Sequence, residues 1–147
     1  MKKEIFTALF LCCTLLLAGC KRGKQPADQM TKEPVSTTLF DKPLSEIKEL
    51  VDGKWELVSG QNDSEFNEFE NTFILFDGDR YAWIEDGQEE KGDLNWRKAD
   101  TGAGYEAYLT DVFYEAFPSY PVAIKGDTLY IQDCTVTAYR YTLVRRR

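Results

Sequence analysis

The spacing of apolar residues along the chain changes from a helical to an alternating period at Gly53. In residues 44–51 the apolar side chains recur at the spacing of one helical face, which predicts a short amphipathic helix of about two turns. Those side chains are Leu44, Ile47, Leu50 and Val51. Ser45 is placed to cap the start of this helix, and Gly53 is placed to end it.

After Gly53 the period is two, with Trp55 and Leu57 alternating with charged neighbours as in a strand with one wet face. Seven further segments rich in β-branched and aromatic residues lie between turn signals, among them Asp-Gly at 77–78 and 86–87. They are TFILF, RYAWI, KGDLNWRK, YEAYLTDVFY, YPVAI, TLYIQ and TVTAYRYTLV. Short connections leave no room for crossover helices, so the chain is predicted to be all-β, an antiparallel eight-stranded up-and-down barrel with one short N-terminal helix.

Alternation along the strands also predicts which side chains point into the barrel. The candidate ligand-binding residues on these inner faces are Phe73, Tyr81, Trp83, Trp96, Tyr139 and Tyr141. Their rings either line a pocket, where phenol and indole groups orient a small ligand, or simply fill the interior. The same parity puts Ile74 and Phe76 on the outer face, where they form a patch for a partner protein or lie beneath a loop.

The first 19 residues are predicted to be a signal peptide rather than part of the fold. Lys2 and Lys3 precede an apolar run at 5–17 that is too short to span a bilayer. The run ends in LAGC at 17–20, which resembles the bacterial lipobox. The resemblance implies cleavage before Cys20 and attachment of fatty acyl groups to it, the alternative being an ordinary secretory signal. In many bacteria with two membranes, an Asp directly after the lipidated cysteine retains the lipoprotein in the inner membrane. Lys21 occupies that position here, which favours the outer membrane.

The rest of the chain is predicted to divide into a tether and a domain. Residues 20–43 are polar, contain three prolines and show no apolar period, which predicts a flexible tether behind the lipidated cysteine. Residues 44–147 contain the helix and all eight predicted strands. They are therefore predicted to form the folded domain.

The composition narrows the chemistry available to this domain. The chain has no histidine, which removes the commonest general base, Ser–His and Cys–His pairs, and the commonest zinc ligand. Cys134, next to Asp133, is predicted to be a small buried hydrophobe rather than a nucleophile. The acidic clusters fit no EF-hand spacing and are predicted to be solvated turns. No enzymatic activity, cofactor or metal is therefore predicted.

The charge of the chain limits its partners. With 18 Lys and Arg against 25 Asp and Glu, the formal net charge is −7. A surface of this sign repels nucleic acid and anionic headgroups, so neither is expected to bind the domain. The exception is the basic triplet Arg145-Arg146-Arg147, which either touches phosphate groups or is solvated.

Two short motifs resemble one family. Gly53-x-Trp55 after a short helix, together with Tyr141-Thr142-Leu143-Val144-Arg145 near the end, resembles the lipocalin superfamily, in particular the small lipocalin-like domains of bacterial lipoproteins. The resemblance covers residues 44–147 and implies a barrel. Independently, the first and last strands of a closed meander pair antiparallel, which places Arg145 over Trp55, a contact that contributes about 0.5–2 kcal/mol. Gly53, Trp55 and Arg145 are thus predicted to close one end of the barrel.

Two functions fit these observations. The first is a membrane-anchored, lipocalin-like lipoprotein that binds a small hydrophobic or amphipathic molecule in the cell envelope. The second is an envelope protein–protein interaction module with a filled, ligand-free barrel. A cavity larger than a few hundred cubic ångströms, opening opposite Trp55, favours the first. A filled interior with an exposed patch at Ile74 and Phe76 favours the second.

Overall fold

The computed structural model describes residues 35–113 and 116–147. Over these residues the protein is mostly β, with antiparallel strands and one short helix. The predicted signal peptide, Cys20 and residues 20–34 of the predicted tether lie outside the described residues. In the part of the chain that the structure describes, no helix combines the length and apolarity needed to cross a bilayer.

The described residues contain eleven strands and one helix. In chain order they are β1 Ser36–Thr38, α1 Leu44–Val51, β2 Gly53–Gln61, β3 Phe66–Glu68, β4 Thr72–Asp77, β5 Arg80–Glu85, β6 Gln88–Asp93, β7 Arg97–Asp100, β8 Glu106–Leu109, β9 Ser119–Lys125, β10 Thr128–Asp133 and β11 Arg140–Arg145. Each of the eight predicted strand segments overlaps at least one of these strands. The predicted segment KGDLNWRK is divided between β6 and β7.

The strands form one large sheet and one hairpin. The order in the large sheet is β1-β9-β10-β11-β2-β4-β5-β6, and β3 pairs with β2 beside this path. β7 and β8 form the separate hairpin. Within residues 35–113 and 116–147, β6 pairs with β5 alone, so the hydrogen-bonded sheet is antiparallel but not closed into a barrel.

The helix forms over the predicted residues, but its start differs from the prediction. The N-cap is Pro43, whose carbonyl accepts the N–H groups of Glu46 and Ile47 at 3.0 Å each. Ser45 lies inside the helix and makes no capping bond, so the capping prediction is wrong. The helix ends at Val51, and Gly53 follows with φ of +108°, in the region that favours glycine.

The two predicted Asp-Gly turns join neighbouring strands of the sheet. Residues 78–79 connect β4 to β5, and Asp86 and Gly87 connect β5 to β6. Asp86 and Gly87 both have positive φ, of 49° and 79°, as a type I′ turn requires. Both hairpin predictions are confirmed.

The prediction of which face of β4 points inward is wrong. Trp55 pairs with Ile74, and directly opposite residues of an antiparallel pair share a face. Since Trp55 is fully buried, Ile74 and Phe76 are buried too, at 0% and 2% exposure. The outer patch predicted from Ile74 and Phe76 is therefore absent.

The outer face of β4 carries the residues predicted to point inward. Phe73 pairs with Glu56, and Leu75 pairs with Lys54. The Lys54 ammonium lies 4.4 Å from the centroid of the Phe73 ring. Because β4 is apolar on both faces, its orientation depends on its register with β2, and Phe73 consequently lies outside the interior.

The chain enters the sheet earlier than the sequence pattern indicates. β1 lies in the segment predicted as a tether, and its residues Ser36–Thr38 pair with β9. Leu39 follows and is fully buried, with its N–H donated to the Val122 carbonyl at 2.9 Å. A strand of three residues is too short to display a period of two, so the pattern does not distinguish it from a tether.

The core contains two clusters of buried side chains. The larger one lies between α1 and the inner face of the large sheet. Its members are Leu39, Ile47, Val51, Trp55, Leu57, Ile74, Phe76, Leu94, Val112, Leu129, Ile131, Tyr141 and Leu143. The smaller one comprises Ala107, Leu109 and Tyr120. Each buried apolar residue stabilises the fold by about 1.5–3 kcal/mol relative to exposure.

Tyr120 makes polar contacts inside the smaller cluster. Its hydroxyl lies 2.6 Å from the hydroxyl of Tyr105 and accepts the side-chain amide of Gln132 at 3.1 Å. Burial, followed by the hydrogen bond with Tyr105, raises the pKa of Tyr120 well above its usual value. The neutral phenol is thus the form that this cluster holds.

Candidate ligand-binding cavity

Arg145 and Trp55 lie together where the last strand meets the first long one. Arg145 pairs with Trp55 across β11 and β2, and its guanidinium lies 4.2 Å from the centroid of the indole. The same guanidinium donates to the carbonyls of Asp52 and Leu50, at 2.9 and 2.8 Å. These carbonyls are among the groups that a helix leaves without a partner at its C-terminus. Arg145 therefore joins the end of α1 to the sheet.

Trp55 and Gly53 complete this cluster. The Trp55 indole N–H donates to the Val51 carbonyl at 2.7 Å, in a buried setting. A Cβ on Gly53 would lie 3.3 Å from Nη1 of Arg145, which is tighter than ordinary contact. Gly53, Trp55 and Arg145 thus lie together beside the C-terminus of α1. Their predicted role in closing one end of a barrel stays a prediction.

A cavity of about 770 Å³ lies beyond Leu57, two residues along β2 from Trp55. Aromatic side chains make up much of its wall; they are Phe69, Tyr81, Trp83, Phe113 and Tyr141. Polar side chains also line it; they are Glu85, Glu90, Asp93, Asn95 and Asp111. Leu57, Val112 and Gly92 complete the lining. Volumes of about 300–1,000 Å³ are typical of small-molecule sites.

The aromatic wall is packed in two orientations. The rings of Phe113 and Tyr141 are stacked, with centroids 3.8 Å apart and planes 5° apart. Trp83 meets Phe113 edge to face, at 5.8 Å and 88°. Such pairs are worth about 0.5–1.5 kcal/mol beyond the area that they bury. The rings therefore hold one another in place around the cavity.

Gly92 allows Tyr81 to lie against the cavity wall. Gly92 pairs with Tyr81 across β5 and β6, and a Cβ on Gly92 would lie 2.6 Å from Cε1 of Tyr81. Real Cβ atoms do not approach a ring so closely, so any larger residue here displaces the phenol. The position of Tyr81 therefore depends on glycine at 92.

The carboxylates of the cavity differ in their partners. Asp111 accepts the backbone and side-chain N–H groups of Asn95, at 3.2 and 2.6 Å. Glu85 accepts the indole N–H of Trp83 at 3.4 Å.

The pKa of Tyr81 is raised, first by burial of the phenol and then by the negative charges of Glu90 and Asp111. The described part of the chain contains no group of acidic and cysteine side chains that could hold a metal ion.

The structure brings three of the six predicted ligand-binding residues to the main cavity. Tyr81, Trp83 and Tyr141 line it. Tyr139 instead lines a neighbouring pocket of about 500 Å³, to which Tyr141 also contributes. Trp96 packs against the core, where its indole N–H donates to the Gly78 carbonyl at 3.3 Å. Phe73, on the outer face, is the third residue outside the main cavity.

Several lining residues were not predicted from the sequence. Glu90 pairs with Trp83 across the β5–β6 hairpin, so the Asp-Gly turn and the strand period together could have identified it. Phe69 and Phe113 lie outside the strands, where no period indicates a direction. Gly92 could have been noticed as a glycine opposite an aromatic residue in a predicted hairpin.

Cys134 lies apart from the main cavity. Among the described residues it is the free cysteine, and it is half-buried. Burial, followed by the negative charge of Asp133, raises the pKa of its thiol. A raised pKa lowers the thiolate fraction at neutral pH and so disfavours nucleophilic chemistry.

The chain was compared with protein-family models, with curated proteins and with solved structures. Because none of them matches, the geometry of the cavity is the observation from which a function has to be inferred.

Proposed function

We propose that this chain is a membrane-anchored, lipocalin-like lipoprotein whose domain binds one small hydrophobic or amphipathic molecule in the cell envelope. The observation that carries the proposal is the cavity of about 770 Å³, lined by five aromatic and five polar side chains. Apolar walls with a few convergent polar groups are the usual composition of a small-molecule site. Tyr81, Trp83 and Tyr141 supply both the apolar surface and the groups that orient a ligand.

The strand connections support a barrel-like arrangement around this cavity. β8 is joined to β9 by a bridge in which Thr110 and Ser119 exchange N–H to carbonyl bonds of 2.7 and 2.8 Å. β6 and β7 are consecutive segments of one run, separated by residues 94–96. We infer that β6 and β7 form one bent strand, whose first part pairs with β5 and whose second part pairs with β8. Counted in this way, the chain forms an eight-stranded meander.

The anchor is proposed from the sequence. LAGC at 17–20 supports lipidation at Cys20, and Lys21 supports the outer membrane. Several acyl chains exceed the roughly two lipid signals that stable anchoring needs. We also propose that the protein is not an enzyme, because the chain has no histidine to serve as a general base.

The interaction-module alternative has less support. A filled interior and an exposed apolar patch at Ile74 and Phe76 would favour it. Both residues are buried in the core, at 0% and 2% exposure. The cavity and the missing patch both favour the ligand-binding proposal.

Native mass spectrometry of the protein extracted from its host membranes tests this proposal. We expect an additional mass that disappears on denaturation and is separate from the acyl groups on Cys20. Trp83→Ala, which removes part of the cavity wall, should lose this mass. Phe73→Ala, an aromatic truncation on the outer face, is the matched control and should retain it. Detection of the bare lipoprotein alone would contradict the proposal.

A further inference from the structure

The cavity presents ring surfaces of the kind that attract positive charge. Trp83 and Phe113 both line it, and their ring planes are perpendicular, at 88°. Tyr141 stacks on Phe113 and Tyr81 stands beside Trp83 on the same face of β5. A cation within about 6 Å of such a ring centroid is attracted by the negative face of the π system. The aromatic rings in the lining therefore offer an attraction to an ammonium group that approaches one of their open faces.

Carboxylates lie directly beside these rings. Glu90 is the cross-strand partner of Trp83, and directly opposite residues have Cβ atoms about 4.5–5.5 Å apart on one face. Asp111 and Glu85 contribute two more carboxylates to the lining. Glu90 and Asp111 lie close enough to Tyr81 to raise the pKa of its phenol, after the larger effect of burial.

These charges are not balanced from within the described chain. Among the described residues, the cavity lining contains no lysine or arginine. Glu85, Glu90 and Asp111 form no ion pair with any residue in 35–113 or 116–147. The neighbouring Lys91 pairs instead with Glu89, at 2.9 Å. A cavity of this composition disfavours an anionic ligand and gains from a cationic one.

A metal ion does not fit the arrangement. Metal sites need several oxygen ligands converging on one point, and the described carboxylates do not converge in this way. A volume of about 770 Å³ also exceeds what a single ion fills. The rings and dispersed carboxylates fit a larger cation whose charge is spread over apolar carbon.

We propose that the cavity binds an organic cation, an ammonium group carried on apolar carbon, held between Trp83 and its cross-strand partner Glu90. This inference rests on the proposed function, because it names the ligand class of the same cavity. The ammonium group could belong to a free amine or to a lipid headgroup. A phosphate next to the ammonium would be repelled by Asp111 and Glu85, so the free cation is expected to bind more tightly.

Isothermal titration of the full-length, lipidated protein in detergent with three soluble probes tests the inference. Choline carries the cation, 3,3-dimethyl-1-butanol is its uncharged isostere, and glycerophosphocholine adds the phosphate. We expect choline to bind at least about fivefold more tightly than its isostere, from ring and carboxylate attraction together. Tighter binding of glycerophosphocholine than of choline would overturn the expected repulsion of phosphate by Asp111 and Glu85 and would identify a lipid headgroup as the source of the ammonium group.

Variants of two adjacent residues in β6 distinguish the effect of a charge in the cavity from the effect of the net charge of the protein. Glu90→Gln should weaken choline binding about fivefold while leaving the isostere unchanged. Glu89→Gln, which alters the adjacent residue paired with Lys91, makes the same change in net charge and should alter the affinity by less than about twofold. Equal effects of the two variants would overturn the assignment to Glu90.

Failure of this inference can be told apart from failure of the proposed function. Equal binding of choline and its isostere, or no binding of choline up to its solubility, would overturn the cation inference. Native mass spectrometry detects a retained ligand of any charge. A retained neutral or anionic mass would therefore leave the binding function standing and refute the cationic class.

Discussion

Replacing Arg145 by alanine should destabilise the domain by removing the contacts that join α1 to the sheet. The half-buried guanidinium donates to the Leu50 and Asp52 carbonyls, at 2.8 and 2.9 Å, and covers the Trp55 indole at 4.2 Å. Without it, the helix loses both charged hydrogen bonds at its C-terminus. The fully buried indole also loses its cover.

The magnitude follows from these three contacts. A hydrogen bond from a charged donor contributes about 1.5–3 kcal/mol, but water can replace the donor at the exposed residue Asp52, so one such bond is counted, at Leu50. The contact with Trp55 adds about 0.5–2 kcal/mol. We expect a loss of about 2–5 kcal/mol in the free energy of unfolding. For a domain of about 110 residues, where 1 kcal/mol shifts Tm by about 4 °C, this lowers Tm by roughly 8–20 °C.

Thermal and urea denaturation of Arg145→Ala measure this loss, and Arg146→Ala is the matched control. Arg146 is the next residue, carries the same charge and pairs with Glu56 at the surface. Exposed ion pairs contribute about 0–1 kcal/mol, so Arg146→Ala should lower Tm by less than about 4 °C. Equal melting temperatures for the two variants would refute the structural role assigned to Arg145.

Three further predictions concern stability. Trp55→Ala should cost about 3–5 kcal/mol in urea unfolding, and an unchanged melt would contradict the buried position of the indole. Gly92→Ala should cost about 1–3 kcal/mol in the wild-type chain and clearly less when Tyr81 is already alanine, because the phenol that the added Cβ meets is then absent; an equal cost in both backgrounds would show that the phenol is not the obstacle. The folded state favours the neutral form of Tyr120, because its pKa is raised there. This preference adds to the free energy of unfolding at pH values below the usual tyrosine pKa of 10.0, and the added stability is lost as the pH rises above that value. Tyr120→Phe should flatten the decline in stability between about pH 9.5 and 11, and an unchanged slope would argue against that shift.

Local pattern was sufficient to predict the elements around Gly53. The change of period there predicted both α1 and β2, and the antiparallel pairing of first and last strands predicted the contact between Trp55 and Arg145. Asp86-Gly87 specified its own turn through backbone preference. The helix, β2 and the Asp86-Gly87 turn depend on residues that are close in sequence. The contact between Trp55 and Arg145 depends on the pairing of the first and last long strands.

The cavity could be predicted only in part, because its lining depends on register and on loops. β4 is apolar on both faces, so sequence parity assigned Phe73 to the interior, whereas its pairing with Glu56 places it outside. Trp83 and Tyr81 were predicted to point inward and do line the cavity. Phe113 follows the end of β8, and its stacking on Tyr141 is a tertiary contact without a sequence signal.

According to the proposed function, the interior beside Trp83 holds a small molecule rather than packed side chains. A crystal structure of the protein purified from its own host is the most direct test. We predict non-protein electron density between the rings of Trp83 and Phe113 and the carboxylate of Glu90. An interior closed by those rings, with the cavity of about 770 Å³ filled by the protein's own side chains, would contradict it.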